Sequence, residues 1–119
     1  MPEFITLNEN REFKRVYNRA TSYVSPALVV YFIKNRAGFS RFGITVTKKI
    51  GCAVKRNRAK RVIREAIRAC AANINGNYDF VLVARTRTAY VKSGEVVSAF
   101  RDILKKAGIY NENNTETHN

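Results

Sequence analysis

Residues 53–70, AVKRNRAKRVIREAIRAC, constrain this chain more than any other stretch. They contain no Pro or Gly, which favours one continuous helix. The expected helix covers about 54–72 and runs roughly 28 Å at 1.5 Å per residue. On a wheel of about 100° per residue, Arg56, Lys60, Arg64, Asn57, Arg68 and Arg61 share an arc of roughly 140°. The opposite side carries Ala59, Val62, Ile63, Ala66, Ile67, Ala69 and Cys70. That side wants a core, and a sheet is the surface such a helix covers. The cationic side is a ladder of like charges at i, i+4 spacing, which repel one another. Glu65 is the segment's only acid and is expected to pair with Arg61.

Four roles compete for that ladder. A solvated face normally mixes charges of both signs. A membrane-surface helix sets Trp, Phe or Leu opposite its cations, whereas this one sets residues of core size. A linear localisation signal has no reason to respect helix geometry. Nucleic acid remains, because guanidinium forks match phosphate oxygens and Asn57 adds a neutral donor and acceptor. The whole chain agrees: 22 Lys and Arg face 9 Asp and Glu over 119 residues, a net charge of +13. Such an excess calls for a polyanionic partner.

The surrounding sequence reads as one domain over residues 1–110, followed by a flexible polar tail, 111–119. A first helix is expected at about 7–19, with Thr6 and Glu9 as a capping box and Asn8 competing for the cap. Phe13, Val16, Tyr17 and Ala20 follow helical spacing on it. ALVVYFIK, 27–34, and FGITVTK, 42–48, alternate like strands and are expected to pair as an antiparallel hairpin across the turn 35–41. A third strand, DFVLVAR at 79–85, follows the stop signal NINGN. A last helix, about 94–107, has Ser93 as its expected N-cap and Gly108 just past its end. One more short strand near Thr21–Val24 is left open. The class is α+β: a small α/β sandwich of order α-β-β-α-β-α.

Chemistry other than binding finds little support. No apolar run reaches the roughly 20 residues of a membrane span, and no secretory pattern opens the chain. Cys52 and Cys70 show neither Cys-x-x-Cys spacing nor a nearby His, and read as small reduced hydrophobes of a cytoplasmic protein. No compact acid pair suits a two-metal nuclease, and the only His, His118, lies in the polar tail. No catalytic residue and no metal site is assigned. If the sheet face around Tyr31 stays open, Phe13, Tyr17 and Tyr31 could line a groove for single-stranded nucleic acid. Aromatic rings at helical spacing are also ordinary core, so the pattern alone leaves this undecided.

The stretch KKIGCAVKRNRAKRVIREAIR, 48–68, closely resembles the signature of the bacterial ribonuclease P protein component, with its RNR motif at Arg56-Asn57-Arg58. The resemblance extends over most of the chain, through NREFKRVY, VVYF, FGITVTKKIG and VLVART to the terminal helix. It implies a left-handed βαβ crossover, against the usual right-handed rule. It implies a subunit of an endonuclease that removes the 5′ leader of precursor tRNA, with catalysis on an RNA subunit that uses divalent metal such as magnesium. The implied partners are that RNA and precursor tRNA, with the protein alone monomeric and no membrane involved. Carried over by position, Lys48, Lys49, Arg56, Asn57, Arg58, Lys60, Arg61, Arg64 and Arg68 would bind the RNA subunit near the start of the leader. Phe13, Tyr17 and Tyr31 would line a leader-binding cleft. A ribosomal protein or RNA chaperone, and a stand-alone nuclease, are the competing classes.

Overall fold

A computed structural model of the chain describes residues 4–112. Its elements are β1 (Ile5–Thr6), α1 (Asn10–Arg19), β2 (Thr21–Val24), β3 (Leu28–Lys34), β4 (Arg41–Thr45), α2 (Ala53–Cys70), β5 (Tyr78–Ala84) and α3 (Ser93–Lys106). The five strands form one mixed sheet in the order β1-β4-β5-β3-β2. β1 runs parallel to β4 and β4 parallel to β5, while β3 is antiparallel to both β5 and β2. The short strand left open at Thr21–Val24 is present as β2.

The expected hairpin between 27–34 and 42–48 does not form. β5 lies between those two strands and pairs with each of them. Side-chain chemistry explains the order. Alternate residues of β5 point to opposite faces, and both faces are apolar: Phe80, Leu82 and Ala84 on one, Val81 and Val83 on the other. A strand that is apolar on both sides belongs in the centre of a sheet covered on both sides. β4 and β5 are adjacent and parallel, so α2 is the crossover of a βαβ unit.

α2 and α3 pack together on one face of the sheet, and α1 on the other. The main core lies under the two long helices. Phe42 and Phe80, paired in register, stack with centroids 5.0 Å apart, and Phe100 of α3 meets Phe80 edge-on at 5.9 Å. Val62, Ile63, Ala66, Ile67 and Cys70 bring the apolar side of α2 onto this layer, fully buried or nearly so. Each large apolar side chain buried there contributes about 1.5–3 kcal/mol. Ala69, placed on the same side by the wheel, is exposed. Burial pushes the Cys70 thiol up to about 11. Cys52 is a free thiol and exposed.

Three local expectations are corrected. α1 starts at Asn10 instead of about residue 7, because Ile5 and Thr6 are taken by β1. Its capping acid is Glu12, whose Oε1 accepts from the Glu9 N–H at 3.2 Å, so Thr6 plays no part. Ser93 is the first residue of α3 and Lys92 holds the cap position. Gly108, at φ +76°, does follow the helix end, where the Ile109 N–H reaches back to Leu104 O at 3.1 Å. Of the polar end, Asn111 and Glu112 are held: Asn111 N–H donates to Asn73 O at 2.6 Å, and Glu112 pairs with Lys105 at 3.0 Å. The remainder of that tail, with His118, lies outside the described residues.

Candidate nucleic-acid interface

α2 meets the core along one side, so its other side is presented to solvent as a set. Asn57, Lys60, Arg61, Arg64 and Arg68 are exposed and Arg56 is half-buried. Glu65 pairs with Arg68 at 3.2 Å, not with Arg61. Arg56, Lys60, Arg61 and Arg64 make no ion pair among the described residues. Six of the described acids do form ion pairs, but five of these acids hold cations elsewhere: Arg11, Arg15, Arg41, Arg87 and Lys105. Apart from Glu65, the described acids that form ion pairs are spent away from the arc.

Arg58 lies outside the arc. Its Nε donates to Ala89 O at 3.0 Å and its Nη2 to Val91 O at 2.8 Å. The second arginine of the RNR motif therefore fastens α2 to the turn Thr86–Ala89. Lys48 and Lys49 sit in the turn Lys48–Ile50 that leads into α2, and both are exposed.

Among the described residues, the opposite face of the sheet is covered by α1, a helix of ten residues, and by Leu7 just before it. Leu7, Val16 and Val81 make a small second core there, with Phe13, Tyr31, Ile33 and Val83 packed around it. Phe13 lies directly on the backbone of β4: a Cβ at Gly43 would come within 2.5 Å of its ring. Only glycine admits that approach. Tyr17, one turn on, is 38% exposed, and its hydroxyl lies 2.8 Å from Thr45 Oγ1. Tyr31 meets Tyr17 edge-on at 5.0 Å.

Two adjoining cavities of about 270 and 490 Å³ run between α1 and α2 along β4, and both are lined by Phe13, Ile44 and Lys60. Arg64 lines one and Tyr17 the other. The structure thus brings two of the three predicted rings and two of the predicted cations into one groove. Tyr31 lines neither cavity and backs Tyr17. Lys14, Asn10 and Thr45 join the groove without having been singled out in the sequence. Lys14 follows Phe13 directly and was legible as a neighbouring cation; Thr45 carried no signal beyond strand alternation.

A buried ion cluster sets α1 on the sheet. Asp79, 1% exposed, accepts from Arg41 Nε and Nη2 at 2.8 and 2.7 Å and from Asn35 Nδ2 at 2.7 Å. Arg15 of α1 approaches it at 3.4 Å, and Arg41 Nη1 donates to Glu12 of α1 at 2.7 Å. The hydrogen bond to Asp79 is the chief reason the Arg41 pKa is raised. No three His, Cys, Asp or Glu side chains among the described residues converge to hold a metal ion. No helix there is long and apolar enough to cross a membrane.

A mixed sheet between one short and two long helices, carrying a cationic arc beside an aromatic-walled groove, defines a small basic α/β protein of polyanion-binding type. The ribonuclease P family model matches residues 1–108. A ribonuclease P protein component from Clostridium botulinum is 42% identical over 106 residues, covering 88% of this chain and 96% of the relative. One from Exiguobacterium sibiricum is 37% identical over 105 residues, covering 87% and 90%. Among solved structures, the Staphylococcus aureus RNase P protein superposes with a TM-score of 0.78 at 31% identity, covering 89% of this chain and 97% of that one. The Thermotoga maritima RNase P protein gives 0.75 at 30% identity, covering 85% and 96%. This chain belongs to the ribonuclease P protein component family and is a subunit of that tRNA-processing ribonucleoprotein enzyme.

Proposed function

We propose that the groove between α1 and α2 holds the single-stranded 5′ leader of precursor tRNA, while the arc of α2 docks on the RNA subunit. The carrying observation is that Phe13 and Tyr17 share one groove with Lys60 and Arg64. Bases stack on rings and phosphates need cations, and a track for a single strand supplies both. Tyr31 acts through Tyr17 by holding its ring edge-on. Hydrolysis is assigned to the RNA subunit, where bound divalent metal would supply an activated water. The chain's own acids support this assignment: Asp79 is buried under three donor side chains, and Glu12 is committed to a helix cap and to Arg41.

The test incubates precursor tRNA with the protein alone, the RNA subunit alone, and both. Stimulated cleavage with both is expected; cleavage by the protein alone overturns the assignment. In the assembled enzyme, Tyr17→Ala should weaken precursor tRNA by about 1–3 kcal/mol and leave mature tRNA unaffected. Equal losses on the two substrates would remove the leader from this groove.

A further inference from the structure

Tyr90 follows the turn Thr86–Ala89 and is 61% exposed. Its neighbours in the chain, Ala89 and Val91, are buried, and their carbonyls are the two that Arg58 grips. The Tyr90 N–H itself donates to Arg87 O at 2.9 Å, and Thr88 Oγ1 ties the turn to Ala27 O. The backbone is fastened on both sides of Tyr90 while the ring stays in water. A fixed ring gives up little conformational entropy on binding.

The surroundings are cationic. A Cβ built at Gly51, at φ +131°, would lie 2.9 Å from Lys55 Cδ. The Lys55 stem therefore crosses the Gly51 backbone, and its Nζ stands 5.0 Å from the centre of the Tyr90 ring. The turn Lys48–Ile50 packs on the turn Thr86–Ala89, bringing exposed Lys48 and Lys49 to the same end of α2. Val54, beside Lys55 in the chain, is 77% exposed. Glu95 is engaged by Arg87 of the turn Thr86–Ala89 at 3.1 Å. None of these residues lines the groove, and Lys55 falls about 100° from Arg56, outside the arc.

We propose that Tyr90, Lys55, Lys48 and Lys49 form a second RNA contact, in which an unpaired base of the RNA subunit stacks on the Tyr90 ring and the lysines take the flanking phosphates. This rests on the reading that the chain docks on that RNA. An acidic protein would answer the lysines but has no use for a flat ring clamped beside them. The RNA subunit is the occupant because the leader is already assigned to a groove that these residues do not line.

The chain contains no Trp, so Tyr90→Trp supplies a sole indole. Its fluorescence should be quenched when the RNA subunit is titrated in, and not by polyglutamate. Tyr90→Ala should weaken binding to the RNA subunit by about 5- to 150-fold, with Tyr90→Phe restoring it. The preference of the assembled enzyme for precursor over mature tRNA should not change. An unquenched indole, or parental RNA affinity in Tyr90→Ala, overturns the proposal. So does equal quenching by polyglutamate, or a loss confined to precursor tRNA. Failure of the parent protein to bind the RNA subunit would instead strike the reading beneath it.

Discussion

Arg41 and Arg64 are the same side chain on opposite faces of one sheet, and the fold treats them differently. Arg41 gives two nitrogens to Asp79 and a third to Glu12, and its side chain is only 25% exposed. Arg64 lines the groove and meets no acid among the described residues. The first charge is spent inside the molecule, holding α1 to β4 and β5. The second stands in a ladder with Lys60 and Arg68, and the one described acid in that helix, Glu65, pairs with Arg68 and not with it. A charge compensated internally contributes to folding; one left uncompensated is available to an outside anion. The contrast separates structural from functional arginines with no reference to the motif in which they stand.

The sharpest way to break that contrast is to delete each arginine in turn. Arg41→Ala leaves the Asp79 carboxyl, 1% exposed, with Arg15 at 3.4 Å as its remaining cation among the described residues. Removing one partner of a buried pair costs about 3–5 kcal/mol. A urea melt should read that loss, and a change below the 0.5 kcal/mol or so typical of surface sites would end the structural assignment of Arg41. Arg64→Ala should instead act on RNA. Affinity for the RNA subunit should fall, and the slope of log affinity against log salt should drop by about one. An unchanged slope would mean that Arg64 meets no phosphate.

A smaller effect follows from the ladder as a whole. An anion that binds the folded arc and not the unfolded chain stabilises by mass action, by about 1.4 kcal/mol at ten times its dissociation constant. Sulfate should therefore raise the melting midpoint more than chloride of equal ionic strength. Identical midpoints would show that the arc tolerates its own charge.

Much of this was legible in the residues. The apolar and cationic sides of α2 followed from spacing, because one side is buried at helical intervals from Ala59 to Cys70. Tyr31 opposite Leu28 and Val30 followed from strand alternation. Strand order was not readable from 27–34 and 42–48, whose short connection suggests a hairpin. The relevant sign lay in DFVLVAR, which is apolar on both faces and so belongs in the middle of the sheet. The role of Arg58 was hidden because helix spacing reports direction and not reach. It stands near 200° on the wheel, between arc and core, and only the turn at Thr86–Ala89 decides where its guanidinium goes. The Arg41–Asp79 pair joins residues 38 apart in sequence, and no local pattern announces it.

The finest test of the comparison asks what Arg64 costs the free protein. Arg64 sits at i, i+4 from both Lys60 and Arg68, and each like-charge pair at that spacing destabilises a helix by about 0.2–0.5 kcal/mol. Ala is also the better helix former. Arg64→Ala should thus stabilise the isolated protein by a few tenths of a kcal/mol at low salt. Arg68 shares its charge with Glu65, so the Lys60 pair should supply the larger part. Above roughly 1 M salt, where the Debye length is about 3 Å, the electrostatic share of the gain should vanish and leave the propensity share. Paired urea melts at the two salt levels measure both. A variant that is more stable alone yet weaker on RNA shows that the charge is kept for its partner; a variant less stable at low salt would mean that Arg64 has a partner inside the fold, as Arg41 does.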